Sequence, residues 1–229
     1  MPELFPIFLA LFTGFVAGLV LSMPIGPVNL TIINESTRRG FGSGALVGLG
    51  ASSMELIYCT IAFTGFTQLF EEKFIKASME VFTFVFVLYL GQKFLRAKDL
   101  DAPTKFGTAA AKFSVHLDQK LHPESSFMTG FVRVMGNLGV LLFWIILAAN
   151  FLSRDWVEDT MFAKAACVLG VAIGTNSWFC SLSYAASRGQ GRLSQPTLLL
   201  MERFSGICLL GIAVYDGIHI AWQLAKHKI

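Results

Sequence analysis

Ser22-Met-Pro-Ile-Gly-Pro-Val-Asn-Leu30 interrupts an apolar run that extends from residue 4 to residue 33. Pro24 and Pro27 each lack a backbone donor and clash with the preceding helical turn, and Gly26 permits an unwound conformation. One uninterrupted helix over residues 4–35 would be about 48 Å long at 1.5 Å per residue, whereas the hydrocarbon core of a bilayer is about 30 Å thick. The run must therefore tilt, bend or break, and Pro24-Ile25-Gly26-Pro27 marks the place. Backbone groups freed by a break cannot face lipid; they are buried in protein or line a wet cavity. Transporters put substrate and ion sites at such discontinuous helices. A simple proline kink that aids packing is the plainer alternative.

The rest of the chain sets this stretch in a membrane. Of its 229 residues only 14% are charged and 54% are hydrophobic, against about 25% charged in soluble domains. About 20 apolar residues suffice for a spanning helix, and such windows recur at 4–33, 45–70, 75–95, 127–151, 161–186 and 198–224. The expectation is an all-α integral membrane protein with six transmembrane helices. The first window has no basic n-region and outruns an h-region, so it reads as a retained span. Cys59, Cys167, Cys180 and Cys208 all fall in apolar windows, which argues against a secreted disulfide framework. Basic residues crowd the first, third and fifth connections (Arg38 and Arg39; Lys93 to Lys120; Arg188, Arg192 and Arg203). By the positive-inside rule those connections are cytoplasmic and both termini lie outside.

The chain divides into a three-helix half at 1–95, a cytoplasmic linker at 96–126 and a second half at 127–229. The halves echo one another. Thr13-Gly14-Phe15-Val16 precedes the first break cluster, and Thr129-Gly130-Phe131-Val132 precedes Gly136-Asn137-Leu138-Gly139. Small-residue faces follow at Gly40/Gly44/Gly48 and Gly170/Gly174. Because three is odd, a repeated unit would insert upside down the second time, giving two inverted three-helix repeats.

Polar residues within the spans supply the candidate site. Asn29 lies within one turn of the break and offers both donor and acceptor. Glu55 falls near the middle of the second span, where an ionised carboxyl costs roughly 2.5–3.5 kcal/mol on insertion scales and faces a cavity or a partner. It reads as a proton carrier or as the counter-charge of a cationic substrate, with Arg133 a candidate partner. Asn137 lies in the second break, mirroring Asn29 under the repeat, and Asn176 and Trp178 follow the Gly170/Gly174 face. Glu55, Asn29 and Asn137 are expected together at a central cavity. The plainer roles are interhelical hydrogen bonding for Asn29, a structural ion pair for Glu55 and core packing for Trp178.

With these residues the chain resembles the LysE/RhtB superfamily of small-solute exporters over nearly its whole length. The resemblance rests on Pro24-Ile-Gly-Pro-Val-Asn29 with Arg38-Arg39-Gly40, and on a Gly-rich second helix carrying Glu55, where the family often has Asp. It continues with Asn137 and the aromatic run to Trp144, with Leu138 where the family commonly has Pro. Gly174-Thr-Asn-Ser-Trp178-Phe179 and Arg203-Phe-Ser-Gly206 complete it. It implies a multi-pass protein of a bacterial-type plasma (inner) membrane that exports amino acids or similar metabolites with gradient coupling, and a homodimer. Pro24, Gly26, Pro27, Asn29, Glu55, Asn137, Asn176 and Trp178 are the expected transport residues.

No GxxxxGK[ST] motif is present, so ATP hydrolysis of the P-loop kind is not expected of this chain; nor is any enzyme activity, cofactor, bound metal or nucleic-acid partner. A divalent or soft metal-ion exporter is the alternative within transport, because Glu55 and Cys59 share a helix face at i and i+4. Redox carriage would need paired reactive thiols and neither break carries one.

Overall fold

The computed structural model describes residues 4–65, 73–96, 125–188 and 195–225. These form eight helices: α1 Leu4–Ser22, α2 Pro27–Arg39, α3 Phe41–Gly65, α4 Lys73–Leu95, α5 Ser126–Met135, α6 Leu138–Ser153, α7 Met161–Arg188 and α8 Gln195–Ala225. Nearly all of the expected linker, residues 97–124, lies outside the described residues.

Two interruptions shape the chain. Residues 23–26 separate α1 from α2, which begins with Pro27 at a position where a missing N–H costs nothing. Residues 136–137 separate α5 from α6, and the two helices are bent 69° from one another. By length and composition α1, α3, α7 and α8 can each cross a membrane, and α5 with α6 makes a fifth crossing if counted as one. The sixth expected span falls on α4. Its apolar stretch among the described residues is only Phe84–Leu95, because Lys73, Lys76 and Glu80 charge its first half. The protein is a multi-pass, all-helical membrane protein, its lipid face marked by exposed Phe5, Phe8, Leu200 and Phe204.

Helices in lipid gain nothing from hiding apolar surface, so close backbone approach has to hold them. Small residues supply it here. A Cβ on Gly14 of α1 would stand 2.0 Å from the Cys167 carbonyl of α7, and one on Gly130 of α5 would stand 1.9 Å from the Val47 carbonyl of α3. Seen from the other helix, Gly170 meets Leu11 of α1 as Gly50 meets Phe127 of α5. In the third pair Gly91 of α4 abuts Leu210 of α8, and Gly206 of α8 abuts Leu95 of α4. The main contacts are thus α1 with α7, α5 with α3, and α4 with α8, while α3 and α7 meet at the centre and α2 packs on both. Shifts of 116 residues (Gly14 to Gly130), 120 (Gly50 to Gly170) and 115 (Gly91 to Gly206) carry each first-half glycine onto one that makes the matching contact.

Candidate functional site

The break between α1 and α2 is closed by side chains. Asn29, 3% exposed, donates through Nδ2 to the carbonyls of Ser22 at 2.8 Å and Pro24 at 2.6 Å. Its Oδ1 accepts from Trp178 Nε1 on α7 at 3.4 Å. One amide therefore caps the end of α1 and ties the break to α7. Thr31 donates to the Pro27 carbonyl at 2.7 Å, and Arg133 of α5 donates to Thr31 Oγ1 and, at 3.4 Å, to the same carbonyl. Gly26 is the N-cap of α2 and makes no side-chain cap bond, leaving room where a Cβ would meet nothing within 4 Å.

Beside this break lies the carboxyl. Glu55 of α3 is half-buried and lies beside the Thr175 hydroxyl of α7. Thr175 also lies 3.3 Å from the Gly18 carbonyl of α1. A hydroxyl carries one proton and two acceptor lone pairs, which makes this contact a two-way element. With Glu55 ionised, Thr175 donates to the carboxylate. With Glu55 protonated, Thr175 can accept from it and donate to Gly18. Asn176, the next residue of α7, donates to Ser52 Oγ at 2.7 Å and to the Ala172 carbonyl at 2.8 Å. Thr175, Asn176 and Trp178 thus occupy a single turn of α7 and reach α1, α3 and α2.

The second break is held differently. Asn137 is the N-cap of α6, its N–H bonded to the Val134 carbonyl at 2.8 Å, and Tyr58 of α3 donates to the Met135 carbonyl at 2.8 Å. Asn137 and Asn29 are therefore not equivalent in capping: Gly26 is the N-cap of α2, and Asn29 lies inside that helix. Tyr58 and Trp178, 120 residues apart in sequence, each send a donor to a break.

Of the eight expected residues, Pro24, Gly26, Pro27 and Asn29 form the first break, while Glu55, Asn176 and Trp178 meet at the α3–α7 crossing beside it. Asn137 belongs to the other break. Arg133, expected as a partner for Glu55, has its hydrogen bonds here on Thr31 and Pro27. Thr175 and Tyr58 escaped sequence reading, since uncharged hydroxyls in apolar helices carry no spacing signal; the 120-residue shift is what singles them out. Among the described residues no three His, Cys, Asp or Glu side chains are grouped to hold a metal ion. A cavity of about 590 Å³ opens elsewhere, between α1, α4, α6 and α8, and none of the eight residues lines it.

The family model described as LysE type translocator matches residues 19–218. The Bacillus subtilis (strain 168) protein named "Putative amino acid efflux protein YcgF" is 26% identical over 202 residues, covering 88% of this chain and 92% of that protein. No solved structure matches the chain. A family match that takes in both breaks, Glu55 and the α7 turn places the chain in the LysE family of translocators, as a membrane transport protein.

Proposed function

We propose that the protein exports an amino acid, or a similar small zwitterionic or cationic metabolite, from the cytoplasm across a bacterial plasma membrane, driven by an ion gradient. The observation that carries this reading is the Glu55–Thr175 contact, shared with the Gly18 carbonyl and set beside the amide-capped break. A substrate ammonium group pairs with the Glu55 carboxylate, and the unwound backbone at residues 23–26 offers groups to the substrate carboxylate. Protonation of Glu55 removes the charge that holds the ammonium and re-aims the Thr175 hydroxyl at α1, which links proton binding to substrate release.

The alternating contacts of the glycine pairs support an arrangement of two inverted three-helix halves, 1–95 and 127–229, with α1 and α2 as one broken helix, α5 and α6 as another, and α4 as the remaining span. In this reading both termini face outward, and a homodimer is compatible with the broad apolar surface.

Export from cells loaded with amino acids by dipeptide feeding tests the reading. Overproduction should speed the release of one or more amino acids, and Glu55→Gln should slow it by on the order of tenfold, about 1.4 kcal/mol of barrier, at unchanged protein level. Equal export by Glu55→Gln across the pH range would remove Glu55 from the mechanism. No released amino acid under any loading would remove the substrate class.

A further inference from the structure

The cavity between α1, α4, α6 and α8 is not used by the transport site proposed above. It exists because the α4–α8 pair touches α1 through a thin cluster centred on Val20, Val87, Leu209 and Ala213. Gly211 of α8 lines it with nothing within 4 Å of where a Cβ would stand. The cavity follows α1 from Leu9 to Leu21, about 18 Å of helix. Among the described residues that line it, none is charged. Phe12 and Tyr215 line it and are each 55% exposed, so it opens sideways, between α1 and α8, toward the hydrocarbon.

Of the polar residues on this otherwise apolar wall (Thr13, Asn150, Trp156 and Tyr215), Asn150 is the buried one. Asn150 of α6 is 2% exposed, lines the cavity, and its Nδ2 has no hydrogen-bond partner among the described residues. A buried donor left unpaired carries the full cost of its desolvation, which points to an acceptor that belongs there. Trp156 closes the same end. Its backbone N–H bonds to the Phe151 carbonyl at 3.0 Å, and its ring packs 6.0 Å from both Phe151 and Tyr215, an aromatic grouping of the kind found at headgroup level.

We propose that this slot binds one acyl chain of a membrane phospholipid, with the chain's ester carbonyl accepting a hydrogen bond from Asn150 Nδ2. The occupant follows from the shape and chemistry. A long apolar channel open to lipid suits a hydrocarbon chain, and a single buried donor suits a single carbonyl. A free amino acid would bring two charges against described lining residues that carry none, at a cost they do not offset. The volume, about 590 Å³, falls within the range of small-molecule sites.

The test uses the full chain in nanodiscs containing phosphatidylglycerol with a photoactivatable diazirine on one acyl chain, with adducts mapped after irradiation. Adducts should concentrate on the cavity face of α1 and at Tyr215. Gly211→Phe, which puts a side chain into open space, should lower them roughly tenfold, with labelling at outward-facing Phe8 and Phe204 unchanged. Asn150→Leu keeps the bulk but removes the donor and should lower cavity adducts severalfold; it serves as the independent variant should Gly211→Phe not fold. The proposal is overturned by adducts spread evenly round the lipid face, or by loss of cavity adducts on adding millimolar leucine, which would assign the cavity to a transported solute. It is overturned equally if the cavity face takes no adduct from the labelled lipid.

Discussion

Two helix interruptions lie in this protein, and they are closed by different chemistry. At residues 23–26 proline removes donors on either side, and Asn29 reaches back with both amide hydrogens to the carbonyls of Ser22 and Pro24. At residues 136–137 no proline is present, so the backbone closes on itself: Gly136 N–H returns to Val132 and Asn137 N–H to Val134, at 2.9 and 2.8 Å. The Met135 carbonyl calls on a side chain, the Tyr58 hydroxyl. The comparison teaches that what breaks a helix also decides what must repair it. Proline breaks need side-chain donors from elsewhere, and those donors become the polar lining of the site. The first break therefore gathers Asn29, Trp178, Thr31 and Arg133, while the second gathers little beyond Tyr58.

Substitutions at the glycine contacts and at the two breaks should have unequal effects. The largest effect is expected at the shared foundations. Gly14→Val and Gly130→Val would each drive a side chain into backbone about 2 Å away, beyond the 1–3 kcal/mol of ordinary overpacking. Both should abolish the monodisperse peak of the solubilised protein in size-exclusion chromatography. A tolerated Gly130→Val beside a lethal Gly14→Val would mean the two interfaces are not alike.

At the breaks themselves the effects should be smaller and unequal. Asn29→Ala strands two carbonyls and should lower stability by about 2–4 kcal/mol, taking about 1–2 for each lost bond. Tyr58→Phe removes one bond and should lower it by about 1 kcal/mol. Unfolding of the purified variants, followed by loss of helical signal in denaturant, measures both; equal losses would refute the contrast drawn here. Least is expected of Trp178→Phe, because its bond to Asn29 is long at 3.4 Å. It should cost about 0.5 kcal/mol, and a double-mutant cycle with Asn29→Ala should return a coupling of similar size. A coupling several times larger would make Trp178 a principal support of the break.

Much of the fold could be read from sequence because its decisive features are local. The Pro24-Ile-Gly-Pro27 cluster breaks a helix whatever surrounds it, and the repeated Thr-Gly-Phe-Val placed Gly14 and Gly130 in matching positions. Glu55 stood out because a carboxyl deep in a span needs a partner. What sequence could not supply was which surface meets which. The face containing Gly170 and Gly174 is legible as a packing face, but that it receives α1 rather than a neighbour in its own half depends on contacts more than 150 residues apart in the chain. Asn137 resembled Asn29 by type and by nearness to a break, yet capping geometry separates them. Arg133 was a candidate partner for Glu55 by opposite charge, and in the structure it also donates to Thr31 and to the Pro27 carbonyl.

The crossing of partners between the two parts of the chain also imposes a schedule on biogenesis. Gly14 leaves the ribosome long before Gly170, the residue whose face it will meet. At 5–20 residues per second the interval is about 8–30 s. During that time α1 must sit in the bilayer with its glycine face against lipid, and α3 waits likewise for α5. A nascent chain that stalls within the linker therefore has no finished interface between its spans and their partners, and quality-control proteases that recognise loosely held membrane helices have that whole interval in which to act.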